Sequence, residues 1–417
     1  MKSLAKLSSL LIVFLSLNVH ATNGYFQHGY GIKSQGMGGV GIALPQDALA
    51  AATNPAGMAF IGERYDLGVN IFRPEREAEI YGNTNSANNK IHDANETEFF
   101  LIPEFGYNKV LSEQYTAGLS IYANGGMNTD YDDGVGSFFG ASAGVDLKQI
   151  FFTPSITFKP DPNQSIGVAI NFAYQSFQAK GLSNFAGFSN EQSNLTDNHH
   201  EHSYGAGIKV GWMGKVTDKL TLGATYHSKT YMSKFDDYAG LFAEGGDFDI
   251  PASYGVGFAY EATPDFTVAF DYQRIEYSDV KSVGNPLRPN LFSSGLGKAD
   301  GAGFGWRDIN VFKLGFNYQW DDKLTLRAGY NHNSQPIPSS ETLFNILAPG
   351  VITDHLSLGF TYKFTESREL TLAYTHGFKQ DVKGSNSIPT TPIDYGGGEA
   401  DLKMYQNSLG IAYGEAF

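Results

Sequence analysis

Three groups of residues in this chain have the spacing of known chemistry. Gly36-Met37-Gly38-Gly39-Val40-Gly41 satisfies G-x-G-x-x-G, whose glycines let a backbone approach a pyrophosphate. That chemistry needs a strand before the motif and a helix opening after it, and no strand–helix–strand unit surrounds this one. Gly140-Ala141-Ser142-Ala143-Gly144 satisfies G-x-S-x-G, but a polar loop precedes it and a strand follows where a nucleophile elbow requires a helix. His199, His200 and His202 with Glu201 carry metal-ligating groups, yet a His-rich stretch reads more readily as a solvated loop tip. The chain has no cysteine, which excludes disulfides, thiolate metal centres and thiol nucleophiles. We therefore expect no enzyme, no metal and no cofactor.

The elements that carry these residues follow from composition. Of 417 residues only 17% are charged, 14% are aromatic and 49 are glycine, which suits a large sheet that is wet on one face and apolar on the other. Lys plus Arg number 29 against 43 Asp plus Glu, a net charge of −14, the wrong sign for a nucleic-acid groove. Lys2 and Lys6 precede the apolar run Leu7–Leu17, and Val19-His20-Ala21 is a small-x-small cleavage site, so 1–21 reads as a signal peptide. Its removal takes away two lysines and leaves −16. No later stretch approaches the ~18 apolar residues of a spanning helix.

Past residue 62 the sequence alternates with period two. Leu220, Leu222, Ala224 and Tyr226 alternate with Thr221, Gly223, Thr225 and His227 within Lys219–Met232, and Leu356, Leu358, Phe360, Tyr362 and Phe364 alternate with Ser357, Gly359, Thr361 and Lys363. A soluble sandwich would alternate in the same way, and the turns discriminate. Six tight polar turns, at 111–113, 160–163, 217–218, 263–265, 321–322 and 365–367, alternate with seven long connections, at 82–97, 124–144, 181–202, 232–247, 279–305, 335–351 and 380–402. These connections link fourteen strands, an even number with all long loops at one end, as in an outer-membrane barrel. The fold class expected is all-β, a 14-stranded antiparallel transmembrane barrel over 63–417. Leu409, Ile411, Tyr413 and the terminal Phe417 share a face of the last strand, like the signal read by the outer-membrane assembly machinery, with Glu415 departing from its apolar pattern.

The segment 22–62 does not alternate. It is rich in Gly and Ala, has a helical candidate at Asp47–Ala52 stopped by Asn54-Pro55, and suits a plug for a lumen wider than inward side chains can fill. A signal peptide, a Gly-rich opening, Asp47, then Asn54-Pro55-Ala56 and fourteen strands resemble the FadL family of outer-membrane transporters for long-chain fatty acids and other hydrophobic molecules, including aromatic hydrocarbons. Tyr330-Asn331-His332-Asn333-Ser334, Pro336-Ile337-Pro338 and Ala348-Pro349 add to the resemblance, which covers 22–417.

The resemblance implies an N-terminal hatch at 22–62 that moves to open a path, with Thr22, Asn23, Gly24, Tyr25 and Phe26, at its start, and Asn54-Pro55-Ala56 as the participants. It also implies a lateral opening where the third strand, about Tyr115–Ala123, kinks inward. Paired glycines break ladders, so the kink is expected at Ala123-Asn124-Gly125-Gly126 and on to Asn128, facing Asn54-Pro55-Ala56. By alternation Lys209, Arg327 and Lys363 point into the lumen, to meet a ligand carboxylate or an acid such as Asp271. Leu182, Phe185, Phe188, Tyr238, Leu241 and Phe242 in the long loops are expected either to collect hydrophobic ligand at exposed tips or to pack the loops together. The expected function is passive uptake of a hydrophobic small molecule, with long-chain fatty acids ahead of alkanes and aromatic hydrocarbons, by a monomer. Its surroundings would be outer-membrane lipid and lipopolysaccharide. A surface adhesin acting through the long loops is the competing reading.

Overall fold

The structure, a computed structural model, describes residues 23–391 and 394–417, so the signal peptide expected at 1–21 and Thr22 lie outside the described residues. Where apolar residues alternate with Gly, Thr and Asn the chain is extended, and fourteen long strands form one antiparallel barrel. They are β1 Arg64–Tyr81, β2 Phe100–Val110, β3 Tyr115–Tyr131, β4 Ala143–Asp161, β5 Gln164–Lys180, β6 Glu201–Lys215, β7 Leu220–His227, β8 Ser253–Thr263, β9 Phe266–Ile275, β10 Ile309–Gln319, β11 Leu324–Asn333, β12 Asp354–Lys363, β13 Arg368–Val382 and β14 Glu399–Ala416. The sheet closes where β1 pairs with β14, from Arg64 opposite Ala416 to Tyr81 opposite Glu399. Closure leaves no free edge at the β1–β14 seam for lipid to hydrogen-bond, which it cannot do. Two short strands, Ile91–Asp93 and Tyr231–Met232, pair with β1 and β6 outside the ring.

Alternation fixes which side chain meets lipid. Leu356, Leu358 and Tyr362 are exposed on the outer face, while His355, Ser357 and Thr361 are buried within. Glu415, the misfit in the last strand, accepts hydrogen bonds from Tyr65 Oη (2.8 Å), Tyr413 Oη (2.7 Å) and Arg368 Nε (3.0 Å), and Phe417 stacks on Tyr107 at 6.0 Å. The charged residue is thus tolerated in the aromatic girdle at the short-turn rim.

Two boundaries differ from the sequence reading. β3 continues to Tyr131, so the second long connection begins at 132 rather than 124. The Lys219–Met232 run breaks after His227, because Thr230 pairs with Ile250 of the next loop and Tyr231 returns to β6.

The apolar loop residues expected at the tips are not free there. Leu182, Phe185, Tyr238, Leu241 and Phe242 are all buried, in one cluster with Phe177, Phe248 and Trp306 that roofs the barrel, and half-buried Phe188 packs against it. Of the two outcomes expected for these residues, packing is the one observed. The His-rich loop is likewise committed to structure: His200 Nε2 meets Asp146 at 2.9 Å, His202 meets Tyr174 Oη at 2.9 Å, and Glu201 accepts the amides of Asp236 and Asp237. The imidazoles do not converge.

Candidate functional site

The third strand is where the wall changes. β2 and β3 pair from Val110 opposite Thr116 to Phe105 opposite Ile121, and there the ladder stops. β2 continues to Phe100 paired to β1 alone, while β3 shifts register against β4 between Ala123 and Gly125, leaving Asn124 as a bulge. The outer half of the wall between β2 and β3 therefore lacks its hydrogen bonds.

On the β3 side, residues 25–27 supply them. Phe26 bridges Gly125, Gly126 N–H donates to Tyr25 O (3.0 Å), Gln27 N–H to Asn124 O (3.0 Å) and Gln27 Nε2 to Ala123 O (2.9 Å). Gly125 has to be glycine for this approach, since a Cβ there would stand 1.9 Å from Tyr25 O. The Tyr25 ring lies 5.0 Å from Tyr277 and 5.7 Å from Trp306, so the same residues that line the bulge touch the roof. Higher up, the gap is bridged by Asp130 N–H to Ala94 O and by Arg76, whose guanidinium donates to Asn128 O, Asn128 Oδ1, Asn95 Oδ1 and Thr97 O.

A cavity of about 770 Å³ sits at this gap. It is lined both by lipid-facing residues, Leu67, Phe99 and Leu101, and by lumen residues, Tyr25, His28, Gln149 and Trp306, so it passes through the wall. Its remaining lining includes the apolar side chains of Phe105, Ile121, Met127 and Leu147 beside Arg76 and Glu104.

A file of buried side-chain hydrogen bonds runs from this gap to the roof. Tyr30 Oη donates to Asn124 Oδ1 (2.9 Å), Asn124 Nδ2 to Gln149 Oε1 (2.9 Å), Gln149 Nε2 to Gln175 Oε1 (2.7 Å) and Gln175 Nε2 to Phe248 O (2.9 Å). Gln149→Leu would leave a buried donor and a buried acceptor without partners, each costing about 1–3 kcal/mol. The expected result is faster hydrogen exchange of the Gly126 amide, and exchange equal to that of the unsubstituted protein would show that the bulge does not depend on the file.

Inside the barrel, residues 23–58 are held largely by carboxylates projecting from the wall onto backbone N–H groups. Glu104 accepts from Gly31 (3.2 Å) and Ile32 (2.9 Å), Asp66 from Ala48 (2.8 Å), and Asp271 Oδ2 from Gly41 (2.7 Å) and Ile42 (3.0 Å). Asp271 stands opposite Lys313 in the ladder, and Lys313 donates to Gly39 O (3.2 Å). Burial, with the Asp66 carboxylate nearby, pushes Asp47 of this segment up to about 6. The glycines of the G-x-G-x-x-G run serve approach: a Cβ on Gly38, at φ +70°, would stand 2.9 Å from the Tyr330 backbone.

Asn54-Pro55-Ala56 does not face the kink. Asn54 Nδ2 donates to Ile42 O and Trp212 O, Pro55 O accepts from Thr157 Oγ1 (2.7 Å), and Ala56 O from Ser165 Oγ (2.8 Å), which fixes the tripeptide near the short turn between β4 and β5. Pro55 lacks an N–H and starts a 3-10 helix, Pro55–Phe60, that packs on this end, while the kink is met by Tyr25–Gln27 instead. The preceding helix is Ala50–Thr53, a turn later than Asp47.

The three lumen cations do not share a site. Lys209 is buried on β6, donating to Ala52 O (2.6 Å) and the Tyr122 hydroxyl, 4.9 Å from the Tyr122 ring centroid. Arg327 and half-buried Lys363 line a separate cavity at the short-turn end. Glu104, Arg76, Gln149, Gln175 and Lys313 escaped the sequence reading. Alternation could have marked Lys313 as inward; nothing local marks Glu104, whose partners are backbone amides over 70 residues away.

Solved structures share this architecture. The toluene transporter TodX of Pseudomonas putida superposes with a TM-score of 0.69 at 18% identity, covering 94% of this chain and 99% of that one. A FadL homologue of Pseudomonas aeruginosa gives 0.69 at 19%, covering 95% and 100%. Among curated proteins, the long-chain fatty acid transport protein of Escherichia coli is 20% identical over 91% of this chain and 92% of its own length. Outer membrane protein P1 of Haemophilus influenzae is 21% identical over 71% and 69%. The family model for outer membrane transport proteins of the OMPP1/FadL/TodX type matches residues 21–409, and with that match over a closed fourteen-stranded barrel the chain belongs to this family of outer-membrane transport proteins.

Proposed function

We propose that the protein carries hydrophobic small molecules, long-chain fatty acids foremost, from the outer face into the gap between β2 and β3 and out sideways into the membrane. The observation that carries this reading is the cavity of about 770 Å³ that joins lumen and lipid face at the Asn124 bulge. An apolar solute that leaves through the wall stays in apolar surroundings, and avoids the water of the periplasm. Residues 22–62 act as the hatch, and Tyr25–Gln27 is its moving part, because it is tied to β3 by a few hydrogen bonds while Gly31–Ala56 is anchored by buried carboxylates and by Asn54.

Arg76 favours a carboxylate-headed ligand over a hydrocarbon. It lines the cavity, it is 1% exposed, and among the described residues its guanidinium contacts neutral acceptors and no carboxylate. The names of the fatty-acid relative from E. coli and of the toluene transporter fit an apolar cargo in either case.

The test is equilibrium binding of a long-chain fatty acid and of a matched alkane to purified protein, with Arg76→Gln beside Arg327→Ala and Lys363→Ala. The fatty acid should bind better, and Arg76→Gln should lower that preference by about tenfold or more, the worth of a charged hydrogen bond. Equal binding of acid and alkane would move the substrate to hydrocarbons. No binding of either would remove the transport reading.

A further inference from the structure

The lumen has a second cavity, of about 390 Å³, at the short-turn end, and it shares no lining residue with the one at the wall gap. Five cationic side chains line it, Lys33, Arg64, Arg327, Lys363 and Arg368, against two carboxylates, Glu366 and Glu369. Three of the cations are matched. Arg64 holds Asp66 (2.7 Å) and Glu369 (2.5 Å), Lys33 holds Glu369 (2.5 Å), and Arg368 holds Glu415 (3.0 Å).

Two are not. Arg327 is 9% exposed and among the described residues contacts only neutral acceptors, Gln46 Oε1 through Nε and Thr361 Oγ1 through Nη1, each at 2.7 Å. Lys363 lies across the ladder from Glu369, but among the described residues it is in ion-pair contact with no carboxylate. Glu366 is exposed at the rim, and Glu369, already held by Lys33 and Arg64, and Asp47 act on Arg327 only through space. A guanidinium taken out of water without an anion is costly, and a cleft with an excess of one sign concentrates the opposite ion. Asn317 lines the same cavity with a buried, partnerless side-chain oxygen, and turning its amide would offer an N–H instead.

We propose that this mouth is an oxyanion site, taking a carboxylate or phosphate group between Arg327 and Lys363, with the Nη2 edge of Arg327, the Lys363 ammonium and the Asn317 amide as donors. The group enters from the periplasmic side, where the short turns lie. The site does not depend on transport through the wall gap, and its ligand is either a free anion or the head group of an amphiphile.

Calorimetric titration of the full mature chain in a nonionic detergent tests this with four probes: inorganic phosphate, octanoate, dihexanoyl phosphatidylglycerol and uncharged octanol. Oxyanion binding that weakens as salt is raised, with any heat from octanol at the wall gap unchanged by substitutions at Lys363 and Arg327, is the expected result. Lys363→Gln and Arg327→Gln should each weaken it by about tenfold. Among the described residues the Lys363 side chain holds no hydrogen bond or ion pair, so its variant keeps the test open if Arg327→Gln disturbs the barrel, and the folded fraction is read from gel mobility before heating. Binding of phosphate assigns the site to free anions; binding of octanoate or the phospholipid without phosphate assigns it to a head group. Octanol binding that the two variants weaken as much as anion binding, no anion binding at millimolar concentration, or anion binding that both variants leave unchanged would overturn the proposal.

Discussion

Gly125→Ala should release Tyr25–Gln27 from β3 and leave the barrel standing. Gly125 has no left-handed φ, so alanine suits its backbone, and the three atoms nearest a new Cβ all belong to Tyr25 and Phe26, the first being a backbone oxygen at 1.9 Å that cannot swing aside. Two backbone hydrogen bonds, Gly126 N–H to Tyr25 O and Gln27 N–H to Asn124 O, are then lost. At about 1 kcal/mol each they shift the balance between seated and released segment by roughly thirtyfold. Hydrogen exchange at Gly126 should accelerate accordingly, and cells carrying the variant should take up a labelled hydrophobic compound faster at low concentration. Gly126→Ala is the contrast, since its Cβ would meet Leu147 O of β4 at 2.5 Å and disturb the wall itself. A Gly125→Ala protein with unsubstituted exchange and uptake would end the view that Tyr25–Gln27 closes the gap.

Asp271→Ala should have the largest effect on the anchored part of the N-terminal segment. The substitution strands the buried amides of Gly41 and Ile42 and leaves Lys313 opposite no acid. Each buried amide left without its acceptor costs about 1–3 kcal/mol, and the loss of a facing charge adds to it. Loss of exchange protection at Gly41 and Ile42 with normal gel mobility before heating is expected, because the barrel's own ladders do not pass through Asp271's side chain. Asp271→Asn keeps an acceptor and should lose less. Protection unchanged in Asp271→Ala would mean that Asn54 and the other anchors suffice.

These two predictions rest on different physics. Tyr25–Gln27 is held by backbone bonds to an irregular strand, which form and break without stranding a charge. Gly31–Ala56 is held in good part by carboxylates that have left water, and detaching it exposes every one of them at once. The proposed division between a moving start and a fixed remainder follows from that asymmetry.

The strands, their number and the faces they show to lipid were legible because each depends on residues two apart and on the turn between neighbours. Leu356 and Ser357 announce their sides without help from the rest of the chain. The register shift at Asn124 falls beside Gly125-Gly126, a pair that marks a place where a ladder can break, whereas the strand's continuation to Tyr131 was not legible, because Asn128 and Asp130 read as loop until Arg76 and Ala94 are brought beside them. Family membership was carried by the order of elements, and the matched family model spans nearly the same residues.

What the tertiary structure decided was which distant groups meet. Asn54-Pro55-Ala56 was expected at the kink and lies at the short-turn end, because its carbonyls are claimed by Thr157 and Ser165, a pairing no local pattern encodes. Loop residues such as Phe185 and Phe242, apolar in sequence and free to face either way, are buried because seven loops gathered at one rim can bury them in each other. Lys209, Arg327 and Lys363 were all inward by alternation, but only closure of the barrel sets Lys209 against Tyr122 and leaves the other two around a common cavity. Period-two sequence determines the side of the wall a residue occupies; its height and its neighbours across the lumen depend on closure and on the segment packed inside.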